Sequence, residues 1–500
     1  MSKQNPKEEF EAQINDCVQS FFKNLTQESF PIRIFTHYDT DGLCSGAILS
    51  SALFRQKIPY HVKILKQLDK VGIEKISSNS EKTQSFIIFS DFGSGQCHEI
   101  EKHIQNGQYV ILDHHLPQQI ENKDMREEIK KLKERSLPYH INPYFAGIEG
   151  SIEISSAGIC YLFAKNMNSL NSDLSPLAII GAVGDLQNQG PNGSFIGLNS
   201  DILSESIAQK KLEIKTDLNF SSIKPLNEAI AYSSDIHLPG LSQRVDVSLN
   251  FLKKTGVLIE KPDGELKALN DFNWEEKKKL SSAIIKYAID SCGLDPTEIT
   301  GKLIVNKYIF EHETRYPELL EASEFSNILN SCGKTGNASI GIAIAMGDRN
   351  KSMVEAQEIL RNYKDKLKKS VDWIFDKHKM HKLEFIQYFY GEDEIPEEIV
   401  GTVCSSLLNS QLIDKTKPIF GYADKKGENF YKVSGRTTLD LVNSGVNLAE
   451  VIKIALKLTS LDSLGGGHPP AAGAKIKKDV ILEFLFKCNK IVKKQLSWKR

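Results

Sequence analysis

Three clusters of acids and histidines punctuate the amino-terminal part of the chain: His37-Tyr38-Asp39-Thr40-Asp41, Ser90-Asp91-Phe92-Gly93 and Asp113-His114-His115. A further carboxylate, Asp185, closes the run Ile179-Ile180-Gly181-Ala182-Val183-Gly184. Several carboxylates with one or two imidazoles, and no thiolate on offer, suit Mn²⁺ and, less well, Mg²⁺. Each cluster alone has an ordinary reading: the first as a turn with a helix N-cap, Asp91 as a turn or capping residue, the histidines as buried and satisfied rings. An acid or imidazole after every strong apolar segment of one region points instead to a divalent-metal site. Two cations about 3.5–4 Å apart activate a water and neutralise the attacking and leaving oxygens of a phosphodiester, so phosphoryl hydrolysis is the natural reaction, with Asp91 as bridging ligand. A bound metal lowers the pKa of water towards about 7, so no dedicated protein base is then required, which accounts for the absence of any other nucleophile signature.

The elements that must position these residues can be read nearby. Pro31 to Phe35, Phe86 to Phe89 and Tyr109 to Leu112 are rich in Ile, Val and Phe, and read as buried strands of a mainly parallel sheet. Their carboxyl ends share the edge where open α/β sheets bind ligands. In His37-x-Asp39-x-Asp41, alternate residues project to one side of an extended strand end. Gly42 allows a tight turn, and Leu43 to Phe54 reads as a helix whose amino terminus favours an anion at the same edge. Adjacent histidines point to different sides, so His114 can bind metal while His115 faces substrate and Asp113 sets an imidazole tautomer. Ile179 to Asp185 is a helix or a strand.

At 500 residues the chain should hold two or three domains. Its 63 Lys and Arg nearly cancel 64 Asp and Glu, so no global basic field draws a polyanion, which a local groove would have to hold. Eight scattered cysteines without a Cys-x-x-Cys pair indicate reduced thiols. Met1 to Phe10 is polar, and no run reaches the roughly 18 apolar residues of a membrane span, so a soluble, cytoplasmic protein without membrane association is expected. Strand-like and helix-like segments alternate from Glu11 to Ser204, which gives a doubly wound, mainly parallel α/β domain over 1–205. Residues 206–300 read as a connector with inserted helices, from the Pro239-Gly240 and Pro262-Asp263-Gly264 punctuation and the helical run Trp274 to Asp290. A second, smaller α/β unit is expected over 301–500, beginning near Leu303, with a cleft between the two. Within it Leu319 to Cys332 and Met353 to His378 read as helices. Asn337 to Ala345, Leu383 to Tyr390, Pro418 to Ala423 and Phe430 to Ser434 read as strands. Lys487 to Arg500 reads as a solvated helix face.

One late motif also bears on chemistry, Gly465-Gly466-Gly467-His468-Pro469-Pro470-Ala471-Ala472-Gly473. Consecutive glycines let backbone N–H groups form an anion nest against a sugar-phosphate chain, and His468 can add a hydrogen bond or stack on a base; the other reading is a flexible turn. Arg436 follows a strand and could clamp a phosphate bidentately, with Ser434 adding a hydroxyl, although a lone Arg is ordinarily just surface.

The order of these motifs resembles the DHH phosphoesterase superfamily with its DHHA1 companion domain, over the whole chain. Within it the text is similar to the archaeal RecJ-like exonucleases, or GINS-associated nucleases, related to bacterial RecJ and eukaryotic Cdc45. Phe35 to Gly46, Ala229 to Gly240, Leu320 to Gly333 with its Leu-Asn-x-Cys-Gly ending, and Lys432 to Thr437 carry that closer similarity. The resemblance implies metal ligands at Asp39, Asp41, Asp91, His114 and Asp185, with His37 a further ligand. It makes Asp91 and His115 catalytic, His115 contacting the scissile phosphate, and makes Ser434, Arg436, Gly466, Gly467 and His468 substrate contacts. It implies two Mn²⁺ or Mg²⁺ ions, single-stranded DNA or RNA as substrate, 3′ to 5′ release of mononucleotides in DNA replication or repair, and GINS and the replicative helicase as partners. Two departures stand out. The first histidine lies two residues before Asp39, where other branches place it four before, and Leu186-Gln187-Asn188 follow Asp185 where the family often has an acid. The alternatives are a phosphodiesterase for short oligonucleotides or cyclic dinucleotides, and a Cdc45-like replisome scaffold.

Overall fold

The computed structural model describes residues 5–83, 85–117, 138–233, 236–242, 244–313, 315–408, 413–425, 427–459 and 465–497. Pro6–Asn24 forms α1 and lays Phe10, Ile14, Cys17, Val18 and Phe21 on the core as one apolar stripe. Five strands follow: β1 (Ile32–His37), β2 (Tyr60–Leu65), β3 (Ile87–Ser90), β4 (Tyr109–Leu112) and β5 (His140–Ile141). They pair in parallel in the order β2-β1-β3-β4-β5. Side-chain alternation divides the core between the two faces of this sheet. Ile34, Ile88, Val110 and Leu112 pack on one side with α1, α2 (Thr40–Arg55), α5 (Ser156–Met167), α6 (Ser175–Gly184) and α7 (Gly197–Ala208). Phe35, Ile87, Phe89, Tyr109 and Ile111 pack on the other with α3 (Lys70–Thr83) and α4 (Cys97–His103). The chain order reverses between β1 and β3, the switch point at which ligands enter doubly wound sheets. The clusters ending at Asp41 and Asp91 follow those two strands.

β6 (Glu213–Leu218) pairs antiparallel with β7 (Ile304–Ile309), Leu218 opposite Ile304. The helical region α8 (Leu226–Ala231), α9 (Val245–Lys253), α10 (Trp274–Asp290) and α11 (Pro296–Leu303) is therefore an insertion between two partner strands. Asn273 and Glu276 form the capping box that starts α10 where the sequence predicts a helix. After β7 come α12 (Pro317–Leu320), α13 (Ala322–Lys334), α14 (Ala338–Ala345) and α15 (Lys351–Asp376).

The chain divides into two compact units, Met1–Ile223 with Thr300–Leu360, and Lys224–Ile299 with Arg361–Arg500. Residues 300–360, expected to open the second α/β unit near Leu303, instead join the first. Their apolar residues explain it: Phe325, Ile328, Leu329, Cys332, Ala338, Ile342 and Ala345 all belong to the first unit's core. The expected strand at Asn337 to Ala345 is the helix α14. Its Ile and Ala alternation is too short to fix a period, and the burial of Ala338, Gly341, Ile342 and Ala345 follows i, i+3, i+4, i+7.

The second unit holds β8 (His381–Lys382), β9 (Gln387–Tyr390), α16 (Val400–Leu408), β10 (Ile419–Asp424), β11 (Phe430–Arg436), α17 (Leu439–Asn443), α18 (Leu448–Thr459), β12 (Gly465–His468), β13 (Ala471–Lys477) and α19 (Ile481–Ser497). Its sheet runs β12-β13-β11-β10-β9-β8, parallel only between β9 and β10. Phe420, Val433, Ala474 and Ile476 meet α18 and α19 on one face, while Phe389, Ile419 and Ala423 meet α16 on the other. All eight cysteines are free thiols. Among the described residues, no helix is long and apolar enough to cross a membrane.

Candidate metal centre

The first motif divides between strand and helix, and does not run along one strand end as expected. His37 ends β1, Asp39 is the N-cap of α2 with Oδ1 accepting the Gly42 N–H at 3.0 Å, and Asp41 lies in the first turn of α2. Asp is among the strongest N-cap residues, which is why the helix begins inside the motif. Asp41 is buried, 1% exposed, and points onto the amino terminus of α5. There Oδ2 accepts the Ser156 N–H at 2.8 Å and Oδ1 the Ala157 N–H at 3.0 Å. The amino-terminal dipole favours a carboxylate at that place. Gly181 of α6 closes over it: a Cβ there would stand 2.5 Å from Asp41 Oδ1, so only glycine fits.

Asp91 follows β3 in the left-handed region, φ 63°, a conformation Asp tolerates better than most side chains. The turn aims its two oxygens in different directions. Oδ2 lies 3.4 Å from His37 Nδ1, whereas Oδ1 lies 3.7 Å from His114 Nε2 and 3.9 Å from His115 Nδ1. His37 Nδ1 also lies 2.8 Å from Asp39 Oδ2. His114 Nδ1 stands 2.8 Å from the Gly150 carbonyl, an acceptor, so Nδ1 carries a proton and Nε2 faces the carboxylates, a lone-pair donor once a cation replaces its proton. That Nε2 is 3.1 Å from Asp185 Oδ2 and 3.9 Å from Asp41 Oδ2. Asp185 caps the end of α6, which settles the helix-or-strand question at Ile179 to Asp185. Asp113 Oδ1 accepts from both His115 N, at 3.1 Å, and His115 Nδ1, at 2.8 Å, while Oδ2 accepts the Ser94 N–H at 2.8 Å.

Burial and mutual repulsion set the charges. Burial, then the Asp39 charge, pushes the Asp91 carboxyl up to about 6. Asp41 is likewise raised well above the ordinary range by burial and by the charges of Asp91 and Asp185. Burial opposes the charged form of His37 and His114, but their carboxylate neighbours outweigh it and raise both. Burial also opposes ionisation of Asp39 and Asp185, yet the facing histidines hold both below their usual value. Four carboxylates so placed cannot all ionise comfortably without added positive charge.

His37, Asp39 and Asp91 offer ligand atoms all within 4.8 Å of one another, as do Asp41, His114 and Asp185, and Asp91, His114 and His115. His37 Nδ1, Asp91 Oδ2 and His114 Nε2 are buried without a well-formed hydrogen bond, despite carboxylates within ion-pair distance. Buried polar atoms of this kind ordinarily have a partner, and a cation would give all three one. The donor set fits divalent metal.

Residues 31–184 match the DHH family, N-terminal domain; residues 221–303 match the DHH-CID domain; residues 384–494 match the DHHA1 domain. An uncharacterized protein of Methanocaldococcus jannaschii, MJ0831, is 34% identical over 467 residues, 93% of this chain and 94% of that one. The chain belongs to the DHH family. The family is one of phosphoesterases, hydrolases of phosphoric esters. Among solved structures, Thermus thermophilus RecJ in complex with Mn²⁺ is 14% identical with a TM-score of 0.56, covering 96% of this chain. This chain spans about half of the Thermus protein, 55% of its length. Entamoeba histolytica Cdc45 is 11% identical with a TM-score of 0.63, covering 97% of this chain and 98% of that one. Both likenesses show a RecJ-like fold.

In the first unit of this DHH protein, His37, Asp39, Asp41, Asp91, His114, His115 and Asp185 all come together. The remaining candidates gather in the second unit. Across β11, β13 and β12, Arg436 stands opposite Ala471, and Ala471 opposite His468; two residues along, Ser434 faces Gly473, and Gly473 faces Gly466. Gly467 lies between them, opposite Ala472. Ser434 is buried, whereas Gly465 to His468 is exposed throughout. Arg436 Nε donates to Ser405 Oγ at 3.2 Å.

Some supporting residues were missed by the sequence reading. Gln187, noted only as a departure, is fully buried and donates to the Gly150 carbonyl at 3.0 Å, beside His114, with its own Oε1 accepting from Asn199 at 2.6 Å. Asn142 Nδ2 donates to the His115 carbonyl at 2.9 Å and to Ser94 Oγ at 2.8 Å. Asn142, a polar residue between Ile141 and Pro143-Tyr144-Phe145, carried a faint advance signal, and Gln187, among Asp185, Asn188 and Gln189, carried none.

Proposed function

We propose that this DHH protein is a Mn²⁺- or Mg²⁺-dependent exonuclease that removes mononucleotides from single-stranded DNA or RNA, working 3′ to 5′. The observation that carries the reading is Asp91, whose two oxygens face two separate donor groups. His37 and Asp39 with Asp91 would hold one ion, and Asp41, His114 and Asp185 with Asp91 the other. Two such ions would supply an activated water and neutralise the attacking and leaving oxygens of the phosphodiester.

The chain's own groups do the rest. Asp113 fixes the His115 ring through Nδ1, and His115 contacts the scissile phosphate. The amino terminus of α2 adds a favourable dipole for the anion. In the second unit Arg436 and His468, with Ser434 beside them, bind the phosphates and sugar of the chain end. The guanidinium fork suits a phosphate, and Gly466 and Gly467 let the polymer backbone approach closely. Polarity, mononucleotide release and a place in replication or repair rest on the resemblance to the archaeal RecJ-like branch, as does an association with GINS and the replicative helicase. The Thermus RecJ, in complex with Mn²⁺, supports the metal choice.

The test is incubation with Mn²⁺ and single-stranded DNA or RNA labelled separately at each end. Early release of a labelled mononucleotide from the 3′-labelled strand is expected. Release from the 5′-labelled strand reverses the polarity, and an uncut polymer with cleaved dinucleotides moves the reading to a short-oligonucleotide phosphodiesterase. A non-hydrolytic scaffold draws on the full-length fold likeness to Cdc45. It predicts binding of GINS with no hydrolysis, and a pull-down with purified GINS at micromolar protein tests the partnership separately.

A further inference from the structure

Residues 304–383 lie between the matched DHH-CID and DHHA1 domains and belong to neither. The sequence ending Leu329-Asn330-Ser331-Cys332-Gly333 falls there, in α13, and the proposed chemistry gives it no task. Its surroundings do. A Cβ at Gly333 would stand 1.6 Å from the Tyr38 carbonyl oxygen, so the helix backbone rests directly on the peptide between His37 and Asp39. About two turns earlier, Thr40 Oγ1 donates to the Ser326 carbonyl at 3.0 Å, and Ser326 Oγ donates back to Thr40 Oγ1 at 3.3 Å. Both side chains are buried, in a place where a hydroxyl without a partner would be costly. α13 thus touches the residues on either side of Asp39, the carbonyl of Tyr38 and the hydroxyl of Thr40.

The helix is itself anchored. Glu321, just before α13, accepts from the buried Lys307 at 3.2 Å, and Lys307 also donates to the Phe220 carbonyl at 2.7 Å. Beyond it, Arg349 donates to the Ile344 carbonyl at the end of α14 at 2.6 Å and pairs with Glu313. A rigid element pressed on a ligand-bearing turn sets the direction in which the ligands point.

We infer that α13 is a positioning element for the cation site, with Gly333 and the Thr40–Ser326 pair fixing the turn that presents Asp39 and Asp41. The inference rests on the metal reading above. Gly333→Ala must displace the Tyr38 carbonyl, whereas Gly341→Ala in α14 meets side chains and no backbone, Leu43 Cδ1 at 2.9 Å and Cys332 Cβ at 3.3 Å, and serves as the control for crowding against α13 that leaves the Tyr38 peptide untouched.

The experiment is calorimetric titration of the full chain with Mn²⁺, beside melting in chelator. Gly333→Ala is expected to lose at least about tenfold in Mn²⁺ affinity, a loss of about 1.4 kcal/mol, while Gly341→Ala keeps the wild-type value. Thr40→Val is expected to lose several-fold, and Thr40→Ser, which keeps the hydroxyl, to restore binding. A folded Gly333→Ala with wild-type affinity overturns the positioning role, as does an equal loss in Gly341→Ala. If Gly333→Ala does not fold, Thr40→Val decides, and its unchanged affinity overturns the role. Wild-type protein that binds no Mn²⁺ removes the metal reading together with it. Wild-type binding with indifferent variants removes only the positioning.

Discussion

The two groups of candidate residues are built on opposite principles. In the first unit, seven acid and histidine side chains crowd against the end of a parallel sheet, and most are anchored by helix amides, carbonyls or each other. In the second, the matching region is an exposed edge strand, Gly465 to His468, with little side chain to fix anything. Charges taken out of water must be held in place and compensated, or they neutralise instead. A surface that accepts successive units of a polymer needs room and a backbone that can come close. Damage to the first region should therefore remove chemistry, and damage to the second should weaken binding.

Asp91→Ala is expected to break this contrast most severely. Turnover should fall by about 10³-fold or more, because both donor groups lose their shared ligand. The chelated variant should melt no lower than wild type, since a buried carboxylate pushed up to about 6 has been removed. Kinetics and melting in chelator check both halves; substantial turnover would sink the site.

His115→Gln should lower kcat by about 10²-fold with Mn²⁺ affinity intact, since its ring is tied to Asp113 and not required to complete either triad with Asp39 or Asp185. Comparing calorimetry with single-turnover rates separates the two quantities. Arg436→Ala and His468→Ala belong to the other side of the comparison. Each should raise KM about tenfold, the size of a lost charged hydrogen bond, with kcat nearly unchanged. An equal loss of kcat would mean that the second unit takes part in the chemistry.

The smallest effect is on pH. Asp91, with a value of about 6 against an ordinary 3.8, and His37 and His114, both raised, stabilise the metal-free fold fully only below their unfolded values. That stabilisation is lost as pH rises through the folded values. Asp39 and Asp185, both lowered, act in the opposite sense but only as pH falls below 3.8. Chelated protein should accordingly melt a few degrees lower near pH 8 than near pH 5. Mn²⁺ should flatten or reverse the trend, because cations displace the protons. A metal-free melting temperature that rises over that range would contradict the electrostatic account.

Much of this arrangement was legible in the chain. His37, Asp91 and Asp113 were placed by the apolar runs before them, because a buried parallel strand writes an uninterrupted apolar signature and its end is a fixed place. Asp41 was legible as a residue but not as a helix residue: the N-cap at Asp39 competes with strand alternation over the same five positions. The return of residues 300–360 to the first unit could not be read, since local pattern says nothing about which core an amphipathic helix covers. The partners of the two histidines were equally hidden. Gly150, Gln187 and Asn142 reach them only through tertiary contacts, from positions outside every helix and strand and so without periodic signal.

The measurement that bears most directly on the central claim is electron paramagnetic resonance of the protein titrated with Mn²⁺. Two ions bridged by Asp91, about 3.5–4 Å apart, should give an exchange-coupled signal that appears as the second equivalent binds and vanishes in Asp91→Ala. Isolated Mn²⁺ spectra at every stoichiometry in the wild-type protein would contradict the bridged pair.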